Sequence, residues 1–545
     1  MASGFDTPTT RPIWAIPTPA ARRLALPAGV AAVTIAAAAF LLHQLMAWPP
    51  HEDETLALFV GRDSLGGVVE HVTRERGGAP LHFLLAWGVA HAGLGLGALR
   101  LVSAAFALAS LPLVALLGLR LAGRRAALLA AAFSAASWIF LFHGVYGRMY
   151  SLFLFLSLLS YLALLRALDR GGWGWVGWAA AILLTVAAHP YGALVLASQG
   201  AYVLVARRDR LRPAAAAGAA VLVVGIPFWL TDLVLAGRFD VGVGTGGSKL
   251  GGPAEMARYL WRTAGDFSAG WWPVLAVVLG LAILGLATIG RQARLLAASV
   301  LAVPVLALAA AKLGGSTSPE SRHLLFALPF FSVLVAAGLL RATRRVPPLA
   351  AVLAVALVVA EVAWAWQRTP PLFEWEPDAR QAARAEAETW LARTSAPGDV
   401  LFGYEPLFLG AWERQGDFPR TVLPRADANL ALRTLLAQNR PLGRGVWVLD
   451  ASERNNLEPA LEIDARSPTP ATDFEVAHFG PFLVVRSREA VATPDRYLLH
   501  AGRAQLLGRS LGIGDADVNL LTIERADRAL RGYGASLRSL SSTSR

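Results

Sequence analysis

The stretch Trp48-Pro-Pro-His51-Glu-Asp-Glu-Thr55-Leu-Ala-Leu58 decides how this chain is read. On its N-terminal side lies an apolar run, 27–48, long enough to cross a bilayer. No small-residue cleavage site follows it, so it reads as an uncleaved signal anchor. Three carboxylates, Glu52, Asp53 and Glu54, then stand within one turn of a membrane surface. Adjacent carboxylates raise one another's pKa and attract cations, which suits a general base or a divalent-metal ligand. A solvated loop just past a span is the plain alternative.

Working outward, composition settles the class. Of 545 residues, 55% are hydrophobic and only 16% charged, with a mean hydropathy of +0.48. A soluble core has too little interior for that much apolar side chain, so the excess faces lipid. Soluble globular, disordered and fibrous classes are excluded. With no cysteine, thiol nucleophiles, disulfides and thiolate metal sites are excluded too. The net charge of +12 is almost all arginine, Lys249 and Lys312 being the only lysines. No basic stripe interleaved with aromatics is present, so nucleic acid is not an expected partner.

Beyond 27–48, the runs 98–119, 126–145, 150–168, 175–188, 191–206, 214–235, 272–290, 295–313, 323–341 and 348–366 are long enough to span. The expected fold class is thus an α-helical polytopic membrane protein of about eleven spans plus interfacial helices. The segment 80–96 is apolar but short, and the positive-inside rule places it. With a cytoplasmic N-terminus and 80–96 not spanning, the tail and the short arginine-rich loops all fall inside. They hold 17 Arg against Asp6, Asp169 and Asp209. Counting 80–96 as a span would put five arginine clusters outside. The expected organisation is a cytoplasmic tail, 1–26; a membrane domain, 27–368, whose first exterior loop, 49–97, carries interfacial helices; an exterior soluble α/β domain, 369–536; and a disordered tail, 537–545. In the soluble domain, 399–404, 445–449 and 482–485 read as strands, and 376–394, 488–511 and 515–533 as amphipathic helices. The expected location is the cytoplasmic membrane, with the C-terminal domain extracellular or periplasmic.

On this topology the acidic cluster shares the exterior face with several membrane-edge cations. Arg100 begins the second span, Arg148 sits at a span boundary before Tyr150, and Arg322-His323 opens the tenth span. A guanidinium offers paired donors to phosphate oxygens, so each arginine is a candidate phosphate ligand; a snorkelling side chain is the alternative for any one alone. His82, His189, Tyr191 and His323 are candidates for lining a polar cavity. The Gly-rich 242–252 loop reads as a flexible lid.

These residues fall into an ordered set of motifs that resembles the GT-C membrane glycosyltransferases, and within them the bacterial members related to protein O-mannosyltransferases and aminoarabinose lipid A transferases. The set comprises Asp53-Glu54-Thr-Leu-Ala-Leu, Ala79-Pro80-Leu81-His82, Ala98-Leu99-Arg100-Leu-Val-Ser103, Arg148-Met149-Tyr150-Ser151-Leu152, His189-Pro190-Tyr191-Gly192, and Arg322-His323-Leu324 with Pro329. The resemblance covers about 50–345. It implies transfer of a sugar, a mannose-like hexose or similar, from a polyprenyl-phosphate donor on the exterior face. Asp53 would act as general base or would position the acceptor. Glu54 would support it or help hold a metal, Mg²⁺ or Mn²⁺, if one is used. Arg148, Arg322, Arg100 and Tyr150 would face the donor phosphate. The partners would be the lipid-linked donor, membrane lipids and a glycan, lipid or protein acceptor. Two departures stand out. Gly77-Gly78-Ala79 occupies the place of a basic residue, and Val145-Tyr146-Gly147 that of an acid. A transporter or flippase of envelope lipids, or a non-catalytic envelope scaffold, are the competing readings.

Overall fold

The apolar runs become helices because nothing in them competes with the backbone for its own hydrogen bonds. The computed structural model describes residues 19–239, 252–313, 320–425, 428–438, 440–451, 472–513 and 516–543. In chain order the membrane part is α1 (Pro19–Gln44), α2 (Glu52–Gly61), α3 (Leu65–Glu70), a π-helical turn (His71–Arg76), α4 (Pro80–His91), α5 (Leu96–Ala122), α6 (Arg124–Ala136), α7 (Trp138–Val145), α8 (Tyr150–Arg170), α9 (Gly174–Ala188), α10 (Gly192–Ala206), α11 (Leu211–Val224), α12 (Ile226–Phe239), α13 (Pro253–Asp266), α14 (Trp272–Thr288), α15 (Arg291–Leu313), a 3₁₀ segment (Ser321–Ala327), α16 (Leu328–Ala342) and α17 (Pro347–Arg368).

Among the described residues, six helices have the length and apolarity of a span. The pairs α6–α7 and α11–α12 reach it only together, bent by 59° and 60°. Three more, α9, α10 and α14, are apolar but shorter. Local chemistry explains both bends. Ser137 takes an extended backbone and its hydroxyl bonds back to the Ser134 carbonyl, the competition that interrupts helices. The other break falls at Gly225, two residues before Pro227, which removes a backbone donor.

The segment 80–96 holds α4, of 12 residues. At 1.5 Å per residue it is about 18 Å long, against about 30 Å of hydrocarbon. The N-terminal tail differs from expectation, since α1 begins at Pro19, before the apolar run. The lid reading of 242–252 lies almost wholly outside the described residues.

The C-terminal part is α18 (Asp378–Thr394), β1 (Val400–Phe402), α19 (Pro406–Arg414), β2 (Thr421–Leu423), α20 (Ala428–Leu436), β3 (Gly445–Asp450), β4 (Phe474–Phe479), β5 (Phe482–Ser487), α21 (Pro494–Ser510) and α22 (Ala516–Thr543). Its sheet runs β2-β1-β3-β5-β4, parallel from β2 to β3 and antiparallel from β3 to β4. The pleat sorts side chains to two cores. Val400, Phe402, Trp447 and Leu449 meet α20, α21 and α22. Leu401, Val446 and Val448 meet α18, α19 and, in the same cluster, Leu58, Phe59, Val60 and Phe83 of α2 and α4. The C-terminal domain and the α2–α4 segment thus share one hydrophobic core. Over part of the tail expected to be disordered, α22 continues as helix to Thr543.

Candidate active site

The site begins with how α2 is started. His51 is its N-cap, with Nδ1 accepting the Asp53 N–H at 3.1 Å. The His51 N–H reaches back to Glu54 Oε2 at 3.2 Å, closing a capping box. This turn aims the three carboxylates in three directions.

Glu54 points inward and is fully buried, as is Arg100 on α5. Arg100 Nε and Nη2 bind Glu54 Oε1 and Oε2 at 2.8 and 2.6 Å. Its remaining N–H groups donate to the carbonyls of Leu45, Trp48 and Pro49 at 3.0, 2.7 and 3.1 Å. Those lie at and just beyond the end of α1, where helix carbonyls lack partners. A guanidinium has five donors, and all five are engaged. Glu54 is saturated as well, since Oε1 also accepts the Gly147 N–H at 2.7 Å. This corrects two expectations. In this geometry Arg100 has no N–H for a donor phosphate, and Glu54 has no free oxygen for a metal. Together they clip α1, α2, α5 and the turn at Gly147.

Asp53 meets the next residue of that turn, Arg148. Arg148 Nη1 donates to the Asp53 carbonyl at 2.7 Å and lies 3.6 Å from Oδ1. The Tyr146 hydroxyl lies 3.4 Å from Oδ2 and 3.0 Å from His51 Nδ1. Burial alone would raise the Asp53 pKa, but Arg148, His51 and Arg322, with the Tyr146 hydrogen bond, outweigh it and bring the carboxyl down to about 2. Ser103 supports the turn, its hydroxyl donating to the Arg148 carbonyl at 3.2 Å.

Arg322 completes the cationic wall. Its guanidinium lies 5.3 Å from the Tyr150 ring centroid and bonds Glu320 at 2.7 Å. Among the described residues, Nε of Arg148 and Nε of Arg322 are buried and have no hydrogen-bond partner. Tyr150 in turn packs on His143 and His189, with centroids 4.5 and 5.5 Å apart. His323 stacks on Tyr191 at 4.5 Å and 19°. His82 on α4 is buried, with an unpartnered Nε2. Burial and Arg148 pull its pKa down to about 3 against the pull of Asp53, so the ring is neutral. The structure therefore brings Asp53, Arg148, Tyr150 and Arg322 together, with His82, His189, Tyr191 and His323 around them. It adds His51, Ser103, Tyr146 and Glu320, which sequence reasoning left out of the site. Tyr146 carried no charge signal and stood only as the place of an absent acid.

The third carboxylate, Glu52, faces the soluble domain. It accepts the Tyr404 N–H at 2.8 Å and approaches Arg425 to 3.7 Å. The Thr55 hydroxyl bonds the Tyr404 carbonyl, and Phe59 packs on Trp412 with centroids 4.4 Å apart.

The residues do not fit a metal. Among the described residues no three His, Asp or Glu side chains converge. Of the carboxylates on α2, two are engaged elsewhere and Asp53 faces two guanidiniums.

This mostly helical architecture, with several apolar spans and a small C-terminal sheet, has the fold of solved membrane proteins of GT-C type. The chain superposes on ArnT from Cupriavidus metallidurans in the apo state with a TM-score of 0.57 at 16% identity, over 85% of this chain and 98% of that one. The same protein bound to undecaprenyl phosphate gives 0.56 at 15%, over 84% and 97%. The Archaeoglobus fulgidus oligosaccharyltransferase, in complex with Zn and sulfate, gives 0.50 at 12%, over 78% and 68%. No protein-family model and no curated protein sequence matches the chain.

Proposed function

We propose that the chain is an integral membrane glycosyltransferase that moves a sugar from a polyprenyl-phosphate donor to an acceptor on the exterior face of the cytoplasmic membrane. The observation that carries this reading is the pair of buried, unpartnered guanidinium N–H groups on Arg148 and Arg322, flanking an ionised Asp53. Undecaprenyl phosphate bound to ArnT supports the donor class. The topology proposed with it has a cytoplasmic N-terminus, a membrane domain over 27–368 and an exterior domain from 369 onward.

The chemistry follows from the residue types. The acceptor oxygen bonds to the anomeric carbon while the bond from that carbon to the phosphate oxygen breaks. Phosphate leaves as an anion, so no general acid is required. Arg148 and Arg322 stabilise the departing charge, and low-dielectric surroundings strengthen that attraction. Asp53 accepts a hydrogen bond from the acceptor hydroxyl, orients it, and takes its proton as the bond to the anomeric carbon forms. At a pKa of about 2 it is a weak base. A donor phosphate seated on the two arginines offsets the charges that hold it down, so Asp53 gains basicity once the donor is bound. Glu54 and Arg100 act as scaffold.

The test is transfer of radiolabelled sugar from polyprenyl-phosphate donors in membranes, wild type beside Asp53→Asn. Expected is label in an acceptor with wild type and a loss of roughly 10²–10⁴-fold with the variant, at unchanged expression. Full transfer by the variant would remove Asp53 from the reaction. An envelope scaffold would tolerate the substitution without phenotype.

A further inference from the structure

Asp53 is held by two groups of different kinds. The Arg148 guanidinium supplies charge at Oδ1, 3.6 Å away, and ties down the backbone carbonyl of the same residue at 2.7 Å. The Tyr146 phenol lies beside Oδ2 at 3.4 Å and also meets His51 Nδ1 at 3.0 Å. Tyr146 is itself fixed. It is 3% exposed, tilts against Phe142 with centroids 5.1 Å apart, and meets the His51 ring edge-on at 5.8 Å. Its neighbour Gly147 is bound by Glu54, where a Cβ would already press on the carboxylate at 3.1 Å. The phenol's place is therefore dictated by the Glu54–Arg100 clip, and Asp53 and Tyr146 are held in register by the same pair.

A divalent cation placed against a carboxylate does two things: it supplies positive charge and it fixes the orientation of the oxygens. Here Arg148 does the first and the Tyr146 hydroxyl, donating to Oδ2, does the second. Among the described residues, a cation added at Asp53 would meet Arg148 and Arg322 with no second free carboxylate to offset them. Building on the glycosyltransferase reading, we infer that Tyr146 is a positioning residue for Asp53, acting with Arg148 in the place that a divalent cation takes beside a carboxylate, and that this site works without one. Burial and the Asp53 charge keep the phenol protonated, so it stays a donor across the working pH range.

The experiment uses the full-length chain in native membranes and in detergent. Tyr146→Phe keeps the ring and removes the hydroxyl. Expected is a fall in kcat of about tenfold, within the range for lost orientation, with donor and acceptor KM within twofold and an unchanged melting temperature. A merely structural role would move the melting temperature and leave kcat. Wild-type transfer is expected to survive EDTA without Mg²⁺ or Mn²⁺ added back. Mn²⁺ titration followed by electron paramagnetic resonance needs no substrate. It is expected to show the same binding by wild type and Asp53→Asn. Wild-type kcat in Tyr146→Phe, transfer lost to EDTA and restored by Mn²⁺, or Mn²⁺ binding that disappears with Asp53→Asn would each overturn the inference. If wild type transfers no sugar from any donor, the glycosyltransferase reading fails, and the Mn²⁺ titration still decides whether Asp53 holds a metal.

Discussion

Asp53 and Glu54 are neighbours with opposite fates. One turn of helix, begun by His51, sends Glu54 into a closed set of hydrogen bonds and leaves Asp53 beside two cations. Removing one partner of a buried pair strands the other charge and costs about 3–5 kcal/mol. Glu54→Ala and Arg100→Ala are therefore expected to lose expression and melt earlier in detergent, whereas Asp53→Asn melts like wild type. Equal melting of all three would dissolve the distinction. The depressed Asp53 pKa also has a sign. The carboxylate stays ionised well below neutral pH, so its titration adds no limb in the working range. At limiting donor, where kcat/KM reports the free enzyme, kcat/KM is expected to vary less than twofold from pH 7.5 to 5; a tenfold fall across that interval contradicts the assignment. At this scale the sequence disclosed residue types but not their direction. Nothing in Glu52-Asp53-Glu54 says which carboxylate is consumed by Arg100, because that depends on where α5 crosses α2. Tyr146 was invisible for a related reason: a neutral phenol matters only once Asp53 is seen beside it.

Helices were legible wherever an apolar run was long. Each expected span is helical over all or most of its length, since periodicity and length report local structure directly. The bends at Ser137 and Gly225 were not, because one serine or glycine in a run does not say whether the chain turns there. In the outer domain, three of five strands were read. The residues of β2 are only three and carry no period, and β4 is an edge strand of mixed burial. The nine residues of α19 are too few for periodicity to separate a helix from a strand. One packing detail offers a test. On α14, a Cβ at Gly285 would collide with the Leu334 carbonyl of α16, and one at Gly338 with the Leu281 carbonyl. Small residues that let helix backbones touch are a membrane packing device. Gly285→Leu is expected to cost about 1–3 kcal/mol or more through overpacking, read as a lower detergent melting temperature. Gly280→Leu, on the same helix with nothing within 4 Å of the added carbon, leaves it unchanged. Equal effects would mean α14 and α16 are not in contact.

Over the whole molecule, the proposed topology rests on arginine placement and on α4 being too short to span. A reporter fused after Leu119 is expected to read as cytoplasmic; an exterior reading would make 80–96 a span and invert every later loop. Overall composition was sufficient for the class. It was not sufficient for the joining of the two halves, because contacts between Phe59 and Trp412 or Glu52 and Tyr404 leave no trace in either local pattern. That joining bears on how the protein is made. Glu52 emerges from the ribosome early, and its partner Tyr404 follows 352 residues later. At about 5–20 residues per second, that is a wait of roughly 20–70 s. Throughout that interval the outer face of α2 is bare, and the helix bearing Asp53 lacks half of what holds it. A nascent or prematurely terminated chain thus sits in the bilayer with its acidic helix unsupported. Docking of the last domain onto α2 is the step that completes its support.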